Sequence, residues 1–260
     1  MFAHSFRQKT ECLRCLHFRT ISILNQSARL ESFKPRPYWV RYGVHYLALF
    51  LGSIFTKTTI IGKRNLPKNG PYIIAANHFN VFDPPFVIYG VQKPISFLAA
   101  SDTQFTFVEF CALWMYGFIP TNRTNLNPST IKMSKKVLLK GDILGIFPEG
   151  DTENDELREP KAGVVYLSAS SKAPIVPIGI YGLEKSLWSY LWKGIRPKIT
   201  VKIGKPFGPY QLSKNKVEKE KELFDIGAEV MCRIAALLPS KTHGVFSGNP
   251  LVEKYKKENE

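Results

Sequence analysis

Hydrophobic and polar positions follow two different periods from residue 58 onward. Short apolar runs with strand character lie at 58–62, 71–77, 95–99, 143–147, 175–181 and 198–203. Segments with a helical period separate them, at 84–89, 129–140, 161–170 and about 217–238. This alternation predicts an α/β fold, a single domain with a partly parallel sheet flanked by helices, whose functional side chains follow the strand ends.

A different pattern precedes the first strand. Residues 34–57 are rich in aromatic and aliphatic side chains, with basic residues on both sides and Arg41 and His45 inside. A helix over 39–55 would be about 25 Å long, shorter than the ~30 Å hydrocarbon core of a bilayer. We therefore expect an N-terminal membrane-interface helix. The alternative is a core helix with one aromatic face.

The charge distribution supports a lipid surface as a partner. The net charge is +10 over residues 1–70, −1 over 71–182 and +6 over 183–260. Such basic flanks attract both nucleic acid and anionic lipid. No nucleic-acid motif accompanies them, whereas aromatic clusters do, so nucleic acid is not expected as a partner.

The composition also limits the chemistry. The four cysteines are too few and too scattered for a disulfide framework. Cys12 and Cys15 form a CxxC near His17, but without a second pair we expect no zinc there. The chain contains no GxSxG nucleophile elbow, which argues against a triad hydrolase, and no P-loop or GxGxxG fingerprint. We expect no cofactor and no metal.

The candidate catalytic pair follows the predicted strand 71–77. His78 and Asp83 are five positions apart. In a loop at a strand end, the carboxylate of Asp83 can hold one ring nitrogen of His78 and leave the other free to accept a proton. The alternative is that Asp83 merely caps the next helix, because two prolines follow it.

Two further segments carry candidate polar groups. Glu149 and Gly150 follow the predicted strand 143–147, where a carboxylate can accept hydrogen bonds from substrate hydroxyls and a glycine permits close approach. Arg123 is the only basic residue between Lys93 and Lys132. Arg123 fits a phosphate clamp, although arginines are also common on protein surfaces. Pro-Glu-Gly sequences likewise often form turns that have no functional role.

Together these segments resemble the glycerolipid acyltransferase family typified by lysophosphatidic acid acyltransferase. Its NHxxxxD motif is matched by Asn77, His78 and Asp83. A GxIxxxR-like segment follows at 117–123, FPEG at 147–150, and a proline-containing apolar strand at 173–178. The resemblance covers roughly residues 58–208 and is specific because four motifs occur in order.

The resemblance implies a role for each motif residue. His78 would be the general base and Asp83 its orienting partner. The acceptor-binding set would comprise Arg123, Glu149, Gly150 and Asn77. In place of the Thr-Arg-Ser that commonly follows FPEG, this chain has an acidic run at 151–156, and Asn122 stands where an acidic residue often precedes the arginine. We expect the acidic run to be a solvated loop.

The implied activity is acyl transfer from a thioester donor, acyl-CoA or acyl carrier protein, to a lysophospholipid hydroxyl. The acceptor would be 1-acyl-sn-glycerol-3-phosphate, giving phosphatidic acid for phospholipid biosynthesis. The enzyme would be associated with a membrane phospholipid surface at its cytoplasmic face, or with an organelle membrane if residues 1–30 are a transit peptide. A thioesterase or lipid hydrolase and a non-catalytic lipid-binding module are the alternatives.

The same interpretation divides the chain into four parts. Residues 1–33 would be a basic tail or targeting segment, 34–57 the interface helix, 58–240 the acyltransferase domain and 241–260 a charged tail. A second aromatic cluster at 187–192, followed by basic residues, is expected to face the same membrane surface as the first. Its alternative is that Trp188 and Trp192 pack into the core.

Overall fold

A seven-stranded sheet forms the centre of the computed structural model, which describes residues 36–100, 115–121, 127–150, 155–183 and 187–260. The strands are β1 (Lys57–Ile61), β2 (Tyr72–Ala76), β3 (Ile95–Ala100), β4 (Ile119–Thr121), β5 (Ile143–Ile146), β6 (Ile175–Tyr181) and β7 (Lys198–Ile203). Their order across the sheet is β1-β7-β6-β2-β5-β3-β4.

The helices cover both faces of this sheet. They are α1 (Tyr38–Phe55), α2 (Asp83–Val91), α3 (Pro128–Leu139), α4 (Gly163–Ser171), α5 (Leu187–Leu191), α6 (Lys216–Ala235) and α7 (Pro250–Asn259). Short 3₁₀ turns lie at Lys63–Asn65, Ser240–Thr242 and Gly244–Phe246.

The expected α/β class and partly parallel sheet are confirmed. All neighbouring strands are parallel except β6 and β7, which are antiparallel. The central strands β2, β5 and β6 therefore end at one common edge, the carboxyl edge. Because β7 reverses direction, β1 and β7 both begin at this same edge, with Thr200 opposite Tyr181.

Alternate side chains of β2 enter two separate apolar layers. Ile73 and Ala75 pack with α3, α4, α6 and α7 on one face, while Ile74 and Ala76 pack with α2 on the other. All five β2 residues are buried, as expected for a central strand that is covered on both sides.

Helix α1 lies on the α2 side and runs from one edge of the sheet to the other. Near its start, the Tyr38 hydroxyl donates a 2.5 Å hydrogen bond to Asp142, which precedes β5. Its end leads directly into β1 at the carboxyl edge. Close packing against α2 is possible because Gly52 has no Cβ, which would lie 3.1 Å from the Tyr89 ring.

The two polar residues within α1 face the protein. Arg41 is buried, donates to the carbonyl oxygen of Ile95 and lies 5.2 Å from the Tyr116 ring centroid. His45 is also buried, and burial lowers its pKa. The outer face instead exposes aromatic and aliphatic side chains. Helix α1 therefore packs on the protein, as a core helix would, and also presents an apolar outer face, as an interface helix would. The expected membrane contact stays a prediction. Of the helices in the described residues, none has the length and hydrophobicity needed to cross a bilayer.

The C-terminal segment differs from the expected charged tail over 241–260. It contains α7, whose Val252 and Tyr255 are buried, and Arg233 of α6 lies 4.0 Å from the Tyr255 ring centroid and 3.2 Å from a carboxylate oxygen of Glu258. The charged residues of α7 obscure two apolar positions three residues apart, which are sufficient to attach this short helix to α6. Strand β4 and helix α5 were likewise not expected.

Candidate active site

The sheet brings the first and third sequence motifs together at the carboxyl edge. Strand β2 ends at Ala76 and its parallel neighbour β5 ends at Ile146, so the residues that follow both strands meet there. His78 comes from the first loop, and Phe147 and Glu149 come from the second. The expected position of these motifs at strand ends is confirmed.

His78 and Asp83 form the predicted pair. Nδ1 of His78 is 3.3 Å from Oδ2 of Asp83, and the Asp83 side chain is almost fully buried while that of His78 is partly accessible. A hydrogen bond from Nδ1–H to the carboxylate leaves Nε2 unprotonated and able to accept a proton. The pair therefore has the geometry of a general base with an orienting carboxylate.

The loop between them fixes the carboxylate. The main-chain N–H of Asn80 donates to Oδ2 of Asp83 at 2.7 Å, and the N–H of Asp83 donates to the carbonyl of Asn80 at 3.0 Å. Asp83 is the first residue of α2, so it also favours the positive end of that helix. The N-cap of α2 is Phe82 and no side chain caps the helix, so Asp83 is not the capping residue of the alternative interpretation.

The FPEG segment holds His78 from two sides. The Phe147 ring stacks on the imidazole with centroids 4.1 Å apart and planes inclined by 22°. Oε1 of Glu149 accepts the main-chain N–H of His78 at 3.0 Å. Phe97 lies behind Phe147 in a second parallel stack, with centroids 5.8 Å apart. Ring orientation and backbone position are therefore both set by residues near the end of β5.

The Glu149 carboxyl is in a strongly perturbed environment. Burial raises its pKa from 4.5 to about 7, while the hydrogen bond from His78 and the charge of Arg158 act in the opposite direction. The backbone of Arg158 also donates towards this carboxyl, whose Oε2 atom is buried. The carboxyl therefore shifts towards its protonated form near neutral pH.

Asn77 was expected to contact substrate, but in the structure its side chain binds the main chain of a neighbouring strand. Its Nδ2 donates to the carbonyl oxygen of Ile180 at 2.9 Å, and its Oδ1 accepts the N–H of Ile180 at 2.8 Å. The side chain is completely buried and extends the pairing of β2 with β6 by one step. With both ends of its amide engaged, Asn77 positions the first motif instead of offering a group to substrate.

Gly150 terminates the turn after β5. Its φ of +82° lies in the left-handed region that favours glycine, and a Cβ there would be 2.6 Å from Nζ of Lys161. Lys161 is held beside this turn by a 2.9 Å bond from its main-chain N–H to the carbonyl of Pro148. Close approach of a ligand to Gly150 stays a prediction.

Several sequence expectations concern residues outside the described ranges. Arg123 and Asn122 are among them, as are 151–154 of the acidic run, Cys12, Cys15 and segment 1–33. Gly117 and Ile119 of the second motif are described, and Ile119 begins β4. Within the part of the chain that is described, no group of three or more His, Cys, Asp or Glu residues is placed to hold a metal ion.

Sequence reasoning did not assign a role to Phe147 or Asn80. Both stand within or beside the quoted motifs, so the sequence did identify the segments. Their contacts, however, depend on β2 lying next to β5 and on the turn geometry before α2. A stacking aromatic directly before the PEG sequence is the one signal that could have indicated a contact with His78.

Comparison with known proteins agrees with this geometry. The family model described as Acyltransferase matches residues 57–181. This segment, a little under half of the chain, is similar to the acyltransferase family. The match begins with β1 and ends with β6, so it contains His78, Asp83, Glu149 and Gly150 in a single segment.

Two bacterial relatives are more informative about the type of acyltransferase. A 1-acyl-sn-glycerol-3-phosphate acyltransferase of Bacillus subtilis is 30% identical over 130 residues, which cover 47% of this chain and 62% of the relative. One from Borreliella burgdorferi is 31% identical over 139 residues, covering 52% and 54%. The matched segments thus span little more than half the length of these curated relatives. Over these segments the chain is similar to 1-acyl-sn-glycerol-3-phosphate acyltransferases.

A solved structure supports the same fold. The crystal structure of the 1-acyl-sn-glycerophosphate acyltransferase PlsC from Thermotoga maritima gives a TM-score of 0.51 at 19% sequence identity. The likeness covers 82% of this chain and 87% of that one. At this identity the comparison concerns the fold, and it extends beyond the acyltransferase segment.

Proposed function

We propose that this chain transfers a fatty acyl group from a thioester donor to a hydroxyl group of a lysophospholipid, with 1-acyl-sn-glycerol-3-phosphate as the acceptor. One observation carries the proposal: His78 is oriented by Asp83 through its ring and held by Glu149 through its backbone, at the carboxyl edge of the sheet. The names and motifs of the relatives support the choice of acceptor.

The reaction proceeds by direct attack on an activated bond. Nε2 of His78 takes the proton of the acceptor hydroxyl as that oxygen attacks the thioester carbonyl. The tetrahedral intermediate then collapses, the carbon–sulfur bond breaks, and the imidazolium returns its proton to the departing thiolate. Asp83 stabilises the imidazolium in between. General-base assistance of this kind contributes about 10²- to 10⁴-fold in rate.

The acceptor phosphate is assigned to the second and third motifs. Arg123 supplies a guanidinium suited to bidentate phosphate binding, and the left-handed turn at Gly150 carries no Cβ that would oppose a polar group approaching its backbone. Glu149 contributes by holding the main-chain N–H of His78. These assignments rest on the family resemblance and on the position of Gly150 directly after Glu149, which contacts His78.

Peripheral association with a phospholipid surface accompanies this activity. The exposed side of α1 carries Trp39, Tyr42, Tyr46 and Phe50, and α5 with the residue after it exposes Trp188 at 56% and Trp192 at 88%. Arg196 joins the two clusters by donating to the carbonyl oxygens of Ser53 and Thr56 at the end of α1. The second cluster is thereby linked to the end of α1 at the carboxyl edge, and we infer that both clusters contact the same lipid surface.

The test is acyl transfer by the purified chain. Labelled acyl donors and a panel of lysolipids are offered, and products are identified by mass spectrometry. His78→Ala and Asp83→Asn should each reduce turnover, the first by about 10²- to 10⁴-fold, with unchanged thermal unfolding. Asp225→Asn, which alters an exposed carboxylate on α6, should leave turnover unchanged.

Two results would contradict the proposal. Near wild-type turnover in a folded His78→Ala protein would remove the general base from the mechanism. Release of free fatty acid without any acylated lysolipid would indicate a thioesterase or lipid hydrolase, in which water takes the place of the acceptor.

A further inference from the structure

The imidazole of His78 lies against the flat face of an aromatic ring. Its centroid is 4.1 Å from that of Phe147, and the two planes are inclined by only 22°. Nearly parallel rings in van der Waals contact are about 3.5 Å apart, so a centroid distance of 4.1 Å corresponds to a sideways displacement of roughly 2 Å. The imidazole is therefore above the π face of Phe147 and not at its edge, where the ring hydrogens lie.

A second ring supports Phe147 in this orientation. Phe97 on β3 is buried and stacks on Phe147, with planes inclined by 9° and centroids 5.8 Å apart. Phe97 lies opposite Gly145 in the pairing of β3 with β5, and a Cβ at position 145 would be 2.5 Å from Cε1 of Phe97. Because Gly145 has no side chain, the Phe97 ring has room to lie across β5. The three rings form a column that ends at His78.

The proposed reaction places a positive charge at the end of this column. His78 becomes an imidazolium when it accepts the hydroxyl proton, and it is neutral before and after that step. The face of a phenyl ring carries a negative potential, which attracts a cation within about 6 Å of the ring centroid. Phe147 is well inside that distance. It therefore attracts the charged form of His78 more strongly than the neutral form.

The charged groups around His78 act at other places. Asp83 on α2 contacts the edge of the imidazole at Nδ1, 3.3 Å away. Glu149, in the turn after β5, contacts the main-chain N–H of His78, and the nearby charge of Arg158 lowers the pKa of the Glu149 carboxyl. Since Phe147 covers one face of the imidazole, none of these three groups can contact that face.

We propose that the π face of Phe147 stabilises the imidazolium form of His78 during acyl transfer, and that Phe97 keeps the Phe147 ring parallel to the imidazole. The inference rests on the proposed acyl transfer. An attraction that is stronger in the charged state than in the neutral state lowers the barrier of the chemical step. Phe147 thus complements Asp83, because the carboxylate acts on the edge of the imidazole and the phenyl ring acts on its face.

Site-specific fluorination tests this electrostatic role with little change in shape. Phenylalanine analogues with one, two and three fluorine atoms are placed at position 147 of the full chain by amber suppression. Each fluorine withdraws electron density from the ring face and weakens its attraction for a cation. We expect kcat to fall stepwise, by about threefold with three fluorine atoms, while KM for donor and acceptor stays at the wild-type value.

The same analogues at position 97 are the matched control. The Phe97 ring is separated from His78 by the Phe147 ring, so fluorine there changes the volume of the same column without changing the face that His78 contacts. These analogues should leave kcat unchanged. Circular dichroism and thermal unfolding verify that each protein is folded. An equal fall in kcat at both positions, or no trend at position 147, would overturn the proposal.

Two natural substitutions extend the comparison. Phe147→Tyr keeps an aromatic face beside His78, so kcat should stay close to that of the wild type. Phe147→Leu keeps an apolar contact but has no π face, and kcat should fall at least about threefold. Wild-type turnover in a folded Phe147→Leu protein would also contradict the proposal.

Nuclear magnetic resonance separates this inference from acyl transfer itself. The ring nitrogens of histidine are labelled and followed against pH without substrate, and the His78 signals are those missing from His78→Ala. With three fluorine atoms at position 147, the pH at which the His78 ring is half protonated should fall by about 0.5, a threefold weaker affinity for the proton. Asp83, Glu149 and Arg158 are the same in every analogue, so the difference from the wild type reports the change in Phe147.

The two measurements fail in different ways. If the wild type transfers no acyl group, the proposed function is wrong, and the titration of His78 still decides whether Phe147 stabilises its charged form. If acyl transfer occurs but the titration is unchanged in a folded fluorinated protein, the proposed function stands and the role of Phe147 is overturned.

Discussion

Replacing Glu149 by glutamine tests the role of this residue without changing its shape. The amide oxygen of glutamine can still accept the main-chain N–H of His78, which Oε1 of Glu149 accepts at 3.0 Å. The substitution removes the ability to ionise and replaces Oε2 by an N–H₂ group. If Glu149 acts mainly by positioning His78, the variant should retain turnover and acceptor KM close to those of the wild type. Glu149→Ala, which loses the acceptor atom, should lower kcat.

The pKa of Glu149 sets the magnitude of a second effect, on stability. Burial raises this pKa from 4.5 to about 7, which corresponds to about 3 kcal/mol of folding free energy at roughly 1.4 kcal/mol per pKa unit. Below the unfolded pKa both states hold the proton and there is no cost. As the pH rises from the unfolded pKa to the folded pKa, stability is lost because the unfolded state has released its proton while the folded state still holds it. Above it the loss is complete.

Urea unfolding followed by circular dichroism measures this effect. The variant lacks the titration, so its free energy of unfolding relative to the wild type should rise by about 3 kcal/mol between about pH 4 and about pH 8. The new amide also places an N–H₂ group at the buried position of Oε2, which costs about 1–3 kcal/mol at every pH. The pH dependence, not the absolute offset, is therefore diagnostic.

Glu159→Gln is the matched control, because Glu159 is exposed in the same segment of the chain. It should follow the wild type at each pH. A constant difference between the wild type and Glu149→Gln across the pH range would refute the reasoning, since the carboxyl would then ionise equally easily in both states.

Three further outcomes are expected. Asn77→Ala should destabilise the protein by about 3 kcal/mol in denaturant unfolding, since it leaves both main-chain groups of Ile180 without their buried partners; a loss below about 1 kcal/mol would mean that water replaces the amide. Arg123→Ala should raise the acceptor KM or lower kcat without changing donor binding, and a change in donor binding alone would contradict the assignment. Trp188→Ser with Trp192→Ser should weaken vesicle co-sedimentation at least about tenfold, with part of the wild-type binding resistant to salt; unchanged binding by a folded double variant would remove this cluster from the membrane surface.

The strands were predictable from sequence because the central ones are buried on both faces. Runs such as 143–147 and 175–181 are almost entirely apolar, and bounded by turn residues they indicate parallel strands. Strand β4 has only three residues, one of which is Pro120, so no periodic signal exists for it. Helix α7 was missed for the opposite reason: its many charged residues conceal the two positions that pack.

The sequence predicted which residues form the active site, but it predicted less well what each of them contacts. Spacing alone placed His78 and Asp83 in one loop, since five residues cannot separate them far. The direction of the Asn77 and Glu149 side chains depends on which strands are neighbours. Only the order β6-β2-β5 shows that Asn77 faces the main chain of β6 and that Glu149 reaches back to His78.

The position of β2 between β6 and β5 explains how His78 is held in place. A histidine on a loop would lose its orientation unless several contacts restrain it, and here those contacts come from both flanking strands of β2. Asn77 attaches the start of the loop to β6, while Phe147 and Glu149 fix the ring and backbone of His78 from β5. Asp83 at the start of α2 then has only to fix which ring nitrogen of His78 carries the proton. The ordered motifs of the chain are therefore parts of one restraint on a single imidazole, and this explains why segments about 70 residues apart, such as His78 and Glu149, must be present together for a general base to form.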